Sequence, residues 1–291
     1  MKRYLTLLYV LLLVILSACN GKSSQKEENK RLIMVTMEPQ RYFTEAIAGD
    51  KFLVESMVPK GSSPETYDPT PQQLTRLSKS EAYLRIGHIG FEQSWMDRLT
   101  DNAPHMQIFD TSKGVELIHG EGHNHGDHFH AGGVDPHIWN SISNARIIAK
   151  NTFQALITLD KTNENYYLHR YDSLCKVINR TDSVINNIFQ TRKADHAFMI
   201  YHPALSYFAR DYGLHQICIE EEGKEPSPAH LRDLIEICKE EEVRIIFVQP
   251  EFDRRNAEII AKQTNTNIVD VNPLSYNWEK EMIHIANSLC K

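Results

Sequence analysis

The chain has 291 residues, with 38 acidic side chains against 32 basic ones, a formal net charge of −6 and five cysteines. An acidic balance without any basic stripe excludes a nucleic-acid partner. The cysteines show no CxxC spacing, which excludes a zinc ribbon or a thioredoxin-like motif. The length suits two compact lobes.

The first residues read as a targeting segment. Lys2 and Arg3 precede an apolar run from Leu5 to Leu16, shorter than the roughly 20 residues that span a bilayer and flanked as a secretory signal is. Residues 1–18 are therefore expected to be a signal peptide. Leu16-Ser17-Ala18-Cys19 resembles a bacterial lipobox, which implies cleavage before Cys19 and a lipid anchor on it. Residues 19–30 are polar and charged, as a membrane tether should be.

From residue 31 short β-rich runs alternate with amphipathic stretches. LIMVTM (32–37) predicts a strand and a helix follows from Pro39 to about Ala48. FLVESMV (52–58) is a second strand, and PQQLTRLSKS (71–80) a second helix with Pro71 at its start. AYLRI (82–86) and MQIF (106–109) complete four strands, with a helix over 91–99 between them. Ser141 to Thr191 lacks Pro and Gly and reads as two helices broken near residues 160–163, since apolar residues such as Tyr167, Leu174, Ile178 and Ile185 recur at helical spacing. The βα rhythm then restarts, with strands at 197–201, 214–219, 243–248 and 267–271 and helices over 204–211, 228–241, 254–265 and 277–290. Strands separated by helices of this length indicate parallel sheets. The expected architecture is α/β: an N-terminal lobe over 31–160, a linking helix over 161–193 and a C-terminal lobe over 194–291, with the ligand site in the cleft between two parallel-sheet lobes. For Cys238 and Cys290, on helices of the same lobe, either a disulfide or two free thiols fits.

Six of the fourteen histidines lie between His119 and His137, in HGEGHNHGDHFHAGGVDPH. A Gly-rich run with so many imidazoles and so few apolar residues reads as a solvated loop that traps metal loosely, through His119, His123, His125, His128 and His130. His137 differs, because Asp135-Pro136-His137-Ile138-Trp139 leads straight into helical sequence. Ligands of open α/β sheets bind beyond the carboxyl ends of the strands. By that topology Glu65, His137, His202 and one of Asp270 or Asn272 converge if the lobes face each other. Asp270, two residues before Asn272, should share its face of the strand. His88 reads as structural, Tyr67 and Trp139 as wall packing, and Glu220, Glu221 and Glu222 as a solvated acidic loop.

Four spaced segments, PETYDPTPQQLTRLSKSEAYLRIG, DPHIWNS, HPALSYFARDYGL and SPAHLRDLIEICKEEEVRIIFVQPEF, resemble the zinc/manganese solute-binding lipoproteins of bacterial ABC importers (ZnuA- or TroA-like). The resemblance covers roughly residues 31–291. It implies two βα lobes bridged by a backbone helix, a metal site between them, and delivery to an ABC permease and its ATPase. Three positions depart from the family pattern: Glu65 stands where the first ligand histidine belongs, Asn272 where an Asp precedes Pro-Leu, and Gln249 where a Glu precedes Pro. One carboxylate gained and one lost leave the site charge unchanged, as in a retuned site rather than a dead one. Two histidines and a carboxylate suit Zn²⁺, and Mn²⁺ or Fe²⁺ as alternatives. The expectation is a monomeric, lipid-anchored, extracytoplasmic metal receptor and not an enzyme. The rivals are a metal-dependent hydrolase and a scavenging surface lipoprotein without a permease. No HExxH or GxSxG supports the hydrolase.

Overall fold

A computed structural model describes residues 31–120, 123–125, 128–130, 133–192, 194–221 and 223–290. The expected signal, lipobox and tether lie outside the described residues, as does Glu222. In the first lobe β1 (Arg31–Val35) pairs in parallel with β2 (Phe52–Ser56) on one side and β3 (Ala82–Arg85) on the other, and β4 (Gln107–Asp110) adds to β3, giving the order β2-β1-β3-β4. The connections run through α1 (Glu38–Ala48), α2 (Pro71–Leu77) and α3 (Gly90–Asn102). The histidine-rich segment is not wholly irregular: β5 (His123–His125) and β6 (His128–His130) form a two-stranded antiparallel ribbon, with His123 opposite His130 and His125 opposite His128. Its root is closed by backbone bonds from Gly120 N to Gly133 O and from Asp135 N to Ile118 O, both 2.9 Å.

The bridge consists of α4 (Ile142–Leu159), a 3₁₀ turn over Lys161–Asn163, and the 28-residue α5 (Glu164–Thr191). Asp160 makes the break between them. Its carboxylate accepts from Thr162 Oγ1 at 2.8 Å, Asn163 Nδ2 at 2.8 Å and Tyr167 OH at 2.7 Å, bonds that a continuous helix would not allow. The second lobe repeats the first: β7 (Ala197–Ile200), α6 (Ser206–Tyr212), β8 (His215–Cys218), α7 (Pro228–Glu240), β9 (Ile245–Val248), α8 (Arg255–Thr264), β10 (Asn267–Asp270) and α9 (Trp278–Ser288). Its parallel order, β10-β9-β7-β8, is the same winding: the first strand lies between the second and the third.

Alternation along the strands sets the layers. Ile33 and Val35 of β1, and Phe198 and Ile200 of β7, face a core that continues through Leu156 of α4, Ile178 and Ile185 of α5, and Ile285 of α9. Leu32 and Met34, and Met199 and Ile246, face separate outer cores. The same alternation rules out the Cys238–Cys290 disulfide. Cys238 belongs to the outer core and Cys290 packs on the shared one, so the sheet stands between them, and all four described cysteines are free. No helix among the described residues is long and apolar enough to cross a membrane.

The lobes are joined at the level of single atoms. The buried Trp139 indole donates to Pro273 O at 2.8 Å, the buried Trp278 indole to Trp139 O at 2.7 Å, Asn140 Nδ2 to Ala204 O at 2.9 Å, and Tyr207 OH to Asp135 O at 2.7 Å.

Candidate metal centre

The switch points of the two sheets lie between β1 and β3 and between β7 and β9, and the loops at their carboxyl ends face one another, as the general rule for open α/β sheets requires. His137 and His202 meet there. Their Nε2 atoms are 3.1 Å apart although 65 positions separate them in sequence.

Each imidazole is held from behind by a carboxylate. Asp135 Oδ1 accepts from both the backbone N (2.9 Å) and Nδ1 (2.8 Å) of His137. Glu220 Oε1 lies 2.8 Å from His202 Nδ1. Burial alone would raise the Asp135 carboxyl, but the hydrogen bond and charge of His137, together with Ser206 and the His137 amide, outweigh it and hold it below the ordinary carboxylate range. A carboxylate that accepts a hydrogen bond from Nδ1–H keeps the ring proton there and leaves the lone pair on Nε2, the arrangement that prepares histidine for a metal. Two such lone pairs at 3.1 Å repel unless a cation lies between them.

The carboxylate behind His202 corrects the reading of 220–222 as a solvated acidic loop. Glu221 is exposed, but the Glu220 side chain is only 8 % exposed and is committed to the imidazole. Beside it, burial and the Glu220 charge push the Cys218 thiol up to about 12, so it stays protonated and offers no thiolate ligand. Gln249, buried after β9, clamps the His202 backbone: Nε2 donates to His202 O at 2.6 Å and His202 N donates to Oε1 at 3.3 Å. Phe252 stacks on the His202 ring, with centroids 5.2 Å apart. Trp139 packs against His137 with centroids 5.3 Å apart.

Glu65 approaches from the first lobe. Its loop docks on the start of α3, where Phe91 N donates to Pro64 O at 2.8 Å and Gly90 N donates to Glu65 Oε2 at 3.0 Å. The other oxygen, Oε1, is buried and has no hydrogen-bond partner. An orphaned carboxylate oxygen on a residue that lines the same cavity as the two imidazoles is what a cation would satisfy.

Asp270 and Asn272 are not brought to the site. The strand ends at Asp270, so the two-residue periodicity stops there. Asp270 lies on the edge strand β10, its side chain 78 % exposed and ion-paired with Arg254 at 3.3 Å. Asn272 turns its Oδ1 onto Leu274 N at 3.1 Å, the local turn favoured before proline, and its own N donates to Glu281 Oε1 at 2.7 Å. Pro273 and Leu274 reach the cavity instead.

Glu251, which the sequence did not flag, is in the wall. It lines the same cavity as Glu65, His137 and His202, a space of about 30 Å³, roomy enough for a water or an ion. Burial raises its carboxyl above the ordinary range, opposed by its own amide and by attraction to His202. The cavity opens into a cleft of about 910 Å³ bordered by His88, by Gly120 and Gly133 at the root of the histidine ribbon, and by Glu65 and Glu251. Among the described residues no three His, Cys, Asp or Glu side chains are drawn tightly enough together to enclose a metal as they stand. The two imidazoles are in place, and the carboxylates flank them.

Known proteins resemble this chain over most of its length. Residues 33–289 match the family model for the zinc-uptake complex component A periplasmic protein. The metal ABC transporter substrate-binding lipoprotein FimA of Streptococcus parasanguinis is 30 % identical over 273 residues, 90 % of this chain and 85 % of that one. The manganese ABC transporter substrate-binding lipoprotein PsaA of Streptococcus pneumoniae is 30 % identical over 271 residues, 90 % of this chain and 86 % of its own. A crystal structure of ZnuA superposes with a TM-score of 0.82 at 33 % identity, covering 89 % of this chain and 98 % of that one. The chain belongs to the zinc-uptake component A family of metal-binding, substrate-binding proteins of ABC importers.

Proposed function

We propose that this protein captures one divalent transition-metal ion between His137 and His202, with Glu65 as oxygen ligand, and delivers it to an ABC permease and its ATPase. It does so outside the cytoplasm, as a monomer tethered through a lipid on Cys19. The observation that carries this reading is the pair of Nε2 atoms 3.1 Å apart, each ring backed by its own carboxylate. The protein is a receptor and not an enzyme: its relatives are substrate-binding proteins of ABC transporters. Zinc is the first reading, since imidazole suits it and a histidine ribbon is rooted on the rim of the cleft. Manganese is the second, favoured by the unpartnered Glu65 oxygen.

Calorimetric titration of the mature protein with Zn²⁺ and with Mn²⁺ tests the reading. One tight equivalent is expected, abolished by His202→Ala and weakened on acidification, because protons compete for the same Nε2 lone pairs. Deleting residues 119–130 should remove only additional weak equivalents. Binding that disappears with the ribbon, or that His202→Ala leaves unchanged, would place the site elsewhere.

A further inference from the structure

We infer that Glu251 is a metal ligand, the second lobe's counterpart to Glu65, so that the ion is held by two imidazole nitrogens and a carboxylate from each lobe. The inference rests on the cleft reading and deepens it.

The placement follows from the turn after β9. Gln249 is folded back onto the His202 backbone, and Phe252 N donates to Gln249 O at 3.2 Å, closing residues 249–252 around the imidazole. Phe252 lies flat on the ring, and Glu251 is left lining both the small cavity and the outer cleft. Glu65 borders the same two spaces from the opposite lobe and carries a buried oxygen without a partner. The position that would otherwise bring a carboxylate from the second lobe is Asn272, whose amide is spent on its own turn. Glu251 supplies the missing charge. Two neutral imidazoles and two carboxylates neutralise a divalent ion, and oxygen donors lower the preference for zinc relative to the harder manganese. Since the carboxylates flank the imidazoles without enclosing an ion, coordination requires the 63–66 and 249–252 loops to draw inward.

The test compares Glu251→Gln with wild type and His202→Ala, titrated with Mn²⁺ and with Zn²⁺. Absorption of the Co²⁺-loaded proteins in the visible region reports the number of ligands. Glu251→Gln is isosteric and is expected to lose at least about tenfold in Mn²⁺ affinity, to lose less for Zn²⁺, and to change the Co²⁺ spectrum. Glu251→Asp, which keeps the charge one methylene short, should fall between the two. If His202→Ala loses metal while Glu251→Gln keeps wild-type affinities and spectrum, Glu251 is no ligand and the cleft reading stands. If the wild-type protein binds neither ion, both fail together.

Discussion

Two carboxylates decide which nitrogen of each imidazole faces the cavity, and they come from different distances. Asp135 is two residues from His137, so a local turn delivers it. Glu220 reaches His202 from the end of the neighbouring strand β8. His137 and His202 were legible because each follows directly on a structural boundary. Glu220 was not, because three acids in a row look the same whether or not one of them folds inward. The clamping role of Gln249 and the placement of Glu251 were hidden for a related reason: both depend on a turn that wraps His202, 47 positions before Gln249. The posture of Glu65 rests on Gly90, where a Cβ would sit 2.5 Å from Glu65 O and 2.7 Å from Oε2. Gly90→Ala should therefore push the loop away from α3. The expected result is a loss of about 1–3 kcal/mol in urea unfolding and about a tenfold weaker metal titration. Unchanged affinity would mean that the docking of Glu65 on α3 does not matter.

At the scale of elements, the turn from β3 into α3 is fixed by Glu92. This buried carboxylate accepts from Ile86 N at 2.9 Å, Gly87 N at 2.6 Å and the Thr36 hydroxyl, and Thr36 Oγ1 in turn lies 2.9 Å from Tyr83 OH. Burial raises its carboxyl, and the hydrogen bonds from Thr36, Ile86 and Gly87 and the charge of Arg85 offset this only in part. A raised value means that the folded chain binds more protons than the unfolded one. The Glu92 contribution to stability therefore falls as pH rises from the ordinary 4.5 through the raised value. Glu92→Gln should flatten that slope in urea melts taken across the range. It should also cost about 1–3 kcal/mol, since the amide leaves one backbone N–H unsatisfied. A slope that persists in the variant would assign the pH dependence to another group. The βα order and the helix break at 160–163 could be read from periodicity and turn chemistry. Strand ends could not: apolar runs continue past the last paired residue, and the two-residue period that would carry Asp270 onto the face of Asn272 stops with the strand at Asp270.

For the whole molecule, the decisive fact is that one core runs from β1 through α4 and α5 to β7 and α9. Two lobes that share a core and are cross-bonded through Trp139, Trp278, Asn140 and Tyr207 should unfold together. Differential scanning calorimetry of the metal-free mature protein should show a single transition whose calorimetric and van't Hoff enthalpies agree. Two separated transitions would make the lobes independent units. The paired indoles have another consequence. A molecule welded in this way behind its mouth is a poor jaw, and on the two-carboxylate reading its loaded form would differ at the rim, where the 63–66 and 249–252 loops would shift around the cargo. A membrane partner would sense that change in lip contour and surface charge, not a change in the molecule's length or bend.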